Sequence, residues 1–174
     1  MTDPVKRLRE VVSEKVINAM DRASKALKRA GVPYALAGGL AVGVHGYVRA
    51  TKDADFLVGD EAFKKMAGGL LVLREGLPFS VAGVPVDMIG VEEGEGHLRS
   101  VVGKLSKKRG IPVVPLEALI YMKLKAYRRQ DKLDVVELLK VNHEDVGSVR
   151  EYIATEAPEH SDRLEKLVRE TEEE

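Results

Sequence analysis

The tightest constraint on this chain is a pair of glycines set between a short apolar run and a strand that carries two acids. Tyr34-Ala35-Leu36-Ala37 reads as a buried strand and runs directly into Gly38-Gly39. Paired glycines permit a backbone conformation closed to other residues and allow close approach of another group. Residues 40–45 then read as a short helix with Gly46 beyond its C-terminus. Asp53-Ala54-Asp55-Phe56-Leu57-Val58 follows as a strand bounded by Gly59-Asp60. Alternate residues of a strand project from one face, so Asp53 and Asp55 point the same way.

Around this unit the pattern predicts an α/β or α+β fold with a small mixed sheet. Val5, Leu8, Val12, Val16, Met20, Ala23 and Leu27 recur at helical spacing and predict one N-terminal helix that closes at Gly31. Residues 61–66 read as a short helix, and 70–74 are ambiguous. Residues 79–81 and 84–89 flank an Ala82-Gly83 turn as a hairpin. A short helix over 98–105 and a last strand over 110–114 follow. Pro115 sits where a proline opens a helix, and helices are expected over 116–129, 132–140, about 146–155 and from 158 onward. The chain divides accordingly into an N-terminal helix (1–31), an α/β core (32–114) and a helical C-terminal part (115–174) of one domain, 1–174.

Composition narrows the function classes. The chain has 174 residues, 44% of them hydrophobic and 32% charged, which is a globular balance. It has no cysteine, which excludes disulfide staples, cysteine–zinc sites and a cysteine nucleophile. Lys plus Arg and Asp plus Glu both number 28, so the net charge is zero and coating of nucleic acid by bulk electrostatics is not expected. The basic runs at 104–109 and 123–132 read as solvated faces. Nothing resembles a signal peptide or an apolar span long enough for a bilayer, so no membrane partner and a cytoplasmic location are expected.

A third acid completes the pattern. Asp87 lies in Val84-Pro85-Val86-Asp87-Met88-Ile89, and an aspartate in a core strand is costly to bury without a partner. If its strand neighbours the first, Asp53, Asp55 and Asp87 form a triad suited to hard divalent cations, Mg2+ or Mn2+. Gly38 and Gly39, with a helix N-terminus behind them, are placed to hold a phosphate chain. Between glycines and acids lie His45, Arg49 and Thr51: a polar ligand, a guanidinium able to fork onto phosphate, and a hydroxyl donor. A metal held by acids and a phosphate held by a glycine turn make a phosphoryl-transfer arrangement. A purely structural alternative pairs the three acids with Arg49, Lys52 and Lys123.

Residues 37–58 resemble the signature of the nucleotidyltransferase superfamily, in which a Gly-Gly or Gly-Ser turn precedes an acid-x-acid strand. The string from Gly38 to Asp55 is similar to the branch that holds the AbiEii-type abortive-infection toxins and minimal nucleotidyltransferase toxins. Val114-Pro115-Leu116-Glu117-Ala118-Leu119-Ile120-Tyr121-Met122-Lys123 and Arg129-Gln130-Asp131-Lys132-Leu133-Asp134 look like that branch's downstream helices, where a lysine and a later aspartate recur. The resemblance covers roughly residues 30–140. It implies a nucleotidyltransferase-type sheet and transfer of a nucleoside monophosphate from a nucleoside triphosphate (NTP) to a hydroxyl of RNA or protein. It also implies a toxin role with an antitoxin partner. Asp53 and Asp55 would bind metal, Asp87 would bind a second metal or take the acceptor's proton, and Gly38 and Gly39 would grip the triphosphate.

Lys123 and Asp134 fall on one face if their helix runs unbroken, so Lys123 is expected to reach a phosphate with Asp134 orienting it, or else to form a salt bridge. Gly39 stands where many superfamily members have serine, and Ala54 is smaller than the usual branched residue. A protein that keeps the nucleotide site without transfer activity is the competing reading.

Overall fold

The apolar stripe near the N-terminus folds as a helix that starts later than its periodicity predicts. In the computed structural model, which describes residues 5–105 and 110–173, Leu8–Glu10 is a single 3-10 turn and the continuous helix α1 is Glu14–Arg29. Ser13 between them is extended (φ −59°, ψ 148°), the backbone shape of an N-cap position. Leu8, Val12, Val16, Met20, Ala23 and Leu27 are nevertheless all buried together. The stripe stays continuous in space although the helix does not.

The sheet is mixed. Strands β1 (Tyr34–Ala37), β2 (Ala54–Val58), β5 (Ser80–Val81) and β6 (Val84–Gly90) lie in the order β1-β2-β6-β5, with helix α2 (Gly38–Val44) between β1 and β2 in sequence. β1 and β2 are antiparallel, β2 and β6 parallel, and β5 and β6 form the expected hairpin. Ala82 and Gly83 at its tip both have positive φ (49° and 83°), as the primed turns of tight hairpins require. The predicted strand at 110–114 contracts to one bridge: Leu36 pairs with Val113, bonding Pro112 and Val114 on either side.

Strand alternation splits the core into two layers. Tyr34, Leu36, Phe56, Val58, Val84 and Val86 face α1. Ala35, Ala37 and Leu57 face α3 (Gly96–Leu105), α4 (Leu116–Ala126) and the helices behind them, α5 (Arg129–Val141), α6 (Val146–Glu156) and α7 (Ser161–Glu172). None of the helices in the described residues is long and apolar enough to cross a membrane.

Two helix expectations fail. Of 61–66 only Asp60–Ala62 turns, as a 3-10 helix; Phe63–Lys65 is strand β3 and pairs with Leu71–Leu73, β4, in a separate two-stranded sheet. The segment between Gly59 and Gly68-Gly69 is too short to offset helix nucleation, whereas Phe63 and Leu73 can pair across strands. The helix expected over 116–129 breaks at Tyr127, whose φ is 52°. The Tyr127 ring lies 4.4 Å from the Lys132 ammonium and 4.5 Å from the Arg163 guanidinium, and Asp131 accepts the Arg128 backbone N–H at 3.1 Å. These contacts hold a left-handed residue that costs about 1–2 kcal/mol by itself. The basic run at 104–109 lies mostly outside the described residues.

Candidate active site

The glycine turn and the acids are built against each other. Ala37 is extended (φ −128°), and Gly38 then turns into α2 with φ 60°. Ala37 pairs in register with Asp55 on β2, so a side chain at position 38 would meet that acid. A Cβ there would lie 1.9 Å from Asp55 Oδ2. At Gly39 a Cβ would approach Thr51 Oγ1 to 3.0 Å and Arg49 Nη2 to 3.2 Å. Gly38 therefore makes room for an acid of β2, and Gly39 for Thr51 and Arg49 of the loop that leads into it, whatever else approaches them.

Parallel pairing of β2 with β6 puts Asp55 directly beside Asp87, and Asp53 precedes β2 by one residue. All three acids and Gly38 line one cavity of about 400 Å³. Asp87 corrects the sequence expectation of a buried acid: it is exposed, because Val84 and Val86 take the inward positions of β6 and Asp87 takes the other face. Asp53 and Asp55 are half-buried. Thr51 Oγ1 donates to Asp53 Oδ1 at 3.2 Å. None of the three acids forms an ion pair with a described residue. The Asp55 carboxyl is consequently pushed up to about 6, first by burial and then by the charges of Asp53 and Asp87, against weaker relief from Lys123 and Arg128.

The cations expected at these acids sit elsewhere. Arg49 forks onto Asp134, Nε to Oδ1 and Nη2 to Oδ2, both at 2.8 Å. Asp134 is fully buried and also receives Gln130 Nε2 at 2.9 Å and Lys123 Nζ at 2.8 Å. Burial opposes its ionisation, but the bonds from Arg49 and Lys123 outweigh it and hold the acid below the ordinary carboxylate range. His45 Nε2 lies 2.7 Å from the Val114 carbonyl oxygen. His45, Arg49 and Asp134 thus tie the loop after α2 to the C-terminal helices and do not line the cavity. Lys123 and Asp134 meet, though not along one helix: the break at Tyr127 puts them on α4 and α5. Lys123 lines the cavity with its ammonium shared between Asp134 and Asp131, the latter at 3.0 Å.

Five charged cavity residues have no role assigned from sequence: Glu92, Glu95, Lys125, Arg128 and Asp131. Lys125 Nζ reaches Glu92 at 2.7 Å and Glu95 at 3.2 Å, and Tyr121 donates to Glu95 at 2.6 Å. Their signal in sequence is only a turn-rich acidic loop and a basic run, patterns usually made by solvated surface.

As donors the three aspartates suit a hard divalent cation, and none of them has an ion-pair partner among the described residues. As placed, no three acid or imidazole side chains among the described residues stand together as a complete metal-holding group. No protein-family model matches the chain, and no curated protein matches it either.

Proposed function

We propose that this chain is a metal-dependent nucleotidyltransferase whose sheet is of the nucleotidyltransferase type. It would move a nucleoside monophosphate from an NTP to a hydroxyl of RNA or protein in the cytoplasm. A toxin role, with an antitoxin as partner, remains part of the proposal through the resemblance alone. The observation that carries it is the register of β2 and β6, which seats Asp55 beside Asp87 at the Gly38 turn without a protein counter-ion.

Asp53 and Asp55 would hold Mg2+ or Mn2+, which when bound supplies positive charge to the triphosphate oxygens. Asp87, exposed on the same rim, accepts the proton of the acceptor hydroxyl. That oxygen attacks the α-phosphorus, the bond to the bridging oxygen of the β-phosphate breaks, and pyrophosphate leaves with the electron pair. The apolar part of the cavity, Leu57, Ile89, Leu98, Leu119 and Met122, is of a character to hold a nucleobase and exclude water.

Isothermal titration with each NTP in the presence of magnesium tests the binding step. The wild type should bind at least one NTP, and the Asp53→Ala/Asp55→Ala variant should not. An α-labelled triphosphate tests transfer: label passing to an RNA or protein acceptor supports an enzyme, and binding with no label passed supports the inactive nucleotide-binding reading.

A further inference from the structure

The cavity has a positive wall at the α4–α5 corner, and its most open cation is Arg128. The Arg128 side chain is 79% exposed, whereas Lys123 beside it is 9% exposed and fully engaged between two carboxylates. Arg128 Nε donates to Asp131 Oδ2 at 2.8 Å. Its two terminal nitrogens have no partner among the described residues. Asp131 is 3% exposed and is gripped from its other oxygen by Lys123, so the stem of the guanidinium is anchored while its fork is left unbonded.

Arg49 is in the opposite condition. Nε and Nη2 are bound to Asp134, and Nη1 donates to the Ala50 carbonyl at 3.2 Å. Every guanidinium nitrogen is engaged, and pulling it away would leave a fully buried carboxylate short of its main partner. A phosphate cannot take Arg49 without that cost.

Arg128 lines the same cavity as Asp53, Asp55 and Asp87, and the charges of Asp55 and Asp53 act on it through space. It nevertheless pairs with Asp131 and leaves those acids unneutralised. The cavity therefore offers acids without a cation on the sheet side and a guanidinium fork without an anion on the helix side. A single ligand that satisfies both is a polyphosphate carrying its own divalent cation.

We infer that Arg128, and not Arg49, is the guanidinium that binds the triphosphate of the substrate, with Asp131 and Lys123 as its positioning residues. This assignment rests on the nucleotidyl-transfer reading above. The probe is inorganic tripolyphosphate with Mn2+, titrated calorimetrically into the full chain, with each NTP in parallel.

Arg128→Gln should weaken tripolyphosphate and NTP binding about 10- to 100-fold, should not weaken Mn2+ binding alone, and should lower the thermal midpoint less than Arg49→Gln does, because Asp131 keeps Lys123 as a partner. Arg128→Lys should fall between wild type and Arg128→Gln, because an ammonium keeps the charge but not the fork. Arg49→Gln should give the larger fall in thermal midpoint. Tight tripolyphosphate binding by the wild type that Arg128→Gln does not weaken would overturn the assignment while leaving the transferase reading intact. A wild type that binds neither tripolyphosphate nor any NTP would overturn both.

Discussion

Three aspartates on the sheet side of the cavity and two on α5, Asp131 in its wall and Asp134 behind Lys123, have opposite electrostatic states. Asp131 and Asp134 on α5 are the more buried pair, yet each is met by cations, Lys123 and Arg128 for the first and Arg49 and Lys123 for the second. Burial opposes both, and the hydrogen bonds from those cations outweigh it, so both stay more acidic than usual. Asp55 on β2 meets no such cation: it has no ion-pair partner among the described residues, and burial first, then the charges of Asp53 and Asp87, push its carboxyl up to about 6. Burial by itself therefore does not distinguish the two groups of acids in this molecule. What separates the groups is whether the protein supplies the counter-charge. Where it does, the acids hold α5 to the core; where it does not, the proposed function has a cation from outside supply it.

The largest test of that contrast is Asp134→Ala. Removing the carboxylate strands Arg49 and Lys123 in a buried site, and the expected loss is roughly 3–5 kcal/mol of unfolding free energy, measured by urea denaturation. A change below about 1 kcal/mol would erase the distinction between the groups.

Asp55→Asn should act with the opposite sign. A carboxyl raised from 3.8 to about 6 takes up its proton more readily in the folded state, so wild-type stability falls as pH rises from about 4 to above 6. At neutral pH in chelator the amide variant should therefore be more stable, by at most about 3 kcal/mol at about 1.4 kcal/mol per pH unit. The advantage should disappear below pH 4. Asp131 and Asp134 run the other way: their lowered values stabilise the fold above the ordinary carboxylate range and lose that contribution as pH falls further. Thermal midpoints from pH 3 to 8 resolve both trends, and an Asp55→Asn variant that is less stable at pH 7 would break the comparison. Saturating magnesium should raise the wild-type midpoint and leave Asp55→Asn unmoved.

A smaller effect comes from Gly38→Ala. The φ of 60° alone costs a non-glycine residue about 1–2 kcal/mol, and the added Cβ must displace the Asp55 carboxylate. Its destabilisation should shrink when Asp55 is also alanine, a coupling that a double-mutant cycle measures. The smallest expected effect is at Glu95, a cavity acid of the compensated kind. Burial raises it, but Tyr121, the Glu92 backbone and Lys125 together hold it low. Tyr121→Phe removes one of those bonds and should cost about 1 kcal/mol.

Much of this arrangement is legible in the residues. Gly38-Gly39 after an apolar strand and Asp53-Ala54-Asp55 at the head of another announce the turn and the acid edge through strand periodicity and the freedom of glycine. The hairpin at Ala82-Gly83 is similarly local. Phe63–Lys65 is not, because three residues carry no period, and their strand exists only where Leu71–Leu73 is beside them. The partner of Arg49 is illegible for the same kind of reason: Asp134 comes from a helix 85 residues away.

Local sequence preferences set the order of most elements, the glycine turn and the presence of three acids on or beside strands, all of which follow from backbone preferences over a few neighbours. Which acids are neutralised depends on packing between distant elements. The parallel pairing of β2 with β6 set Asp87 beside Asp55, and the break at Tyr127 turned α5 back so that Lys123 and Arg49 met Asp134. Charge compensation acts over a few ångströms of space, without regard to separation along the chain, and so the state of Asp53-Ala54-Asp55 was settled by residues far from it in sequence.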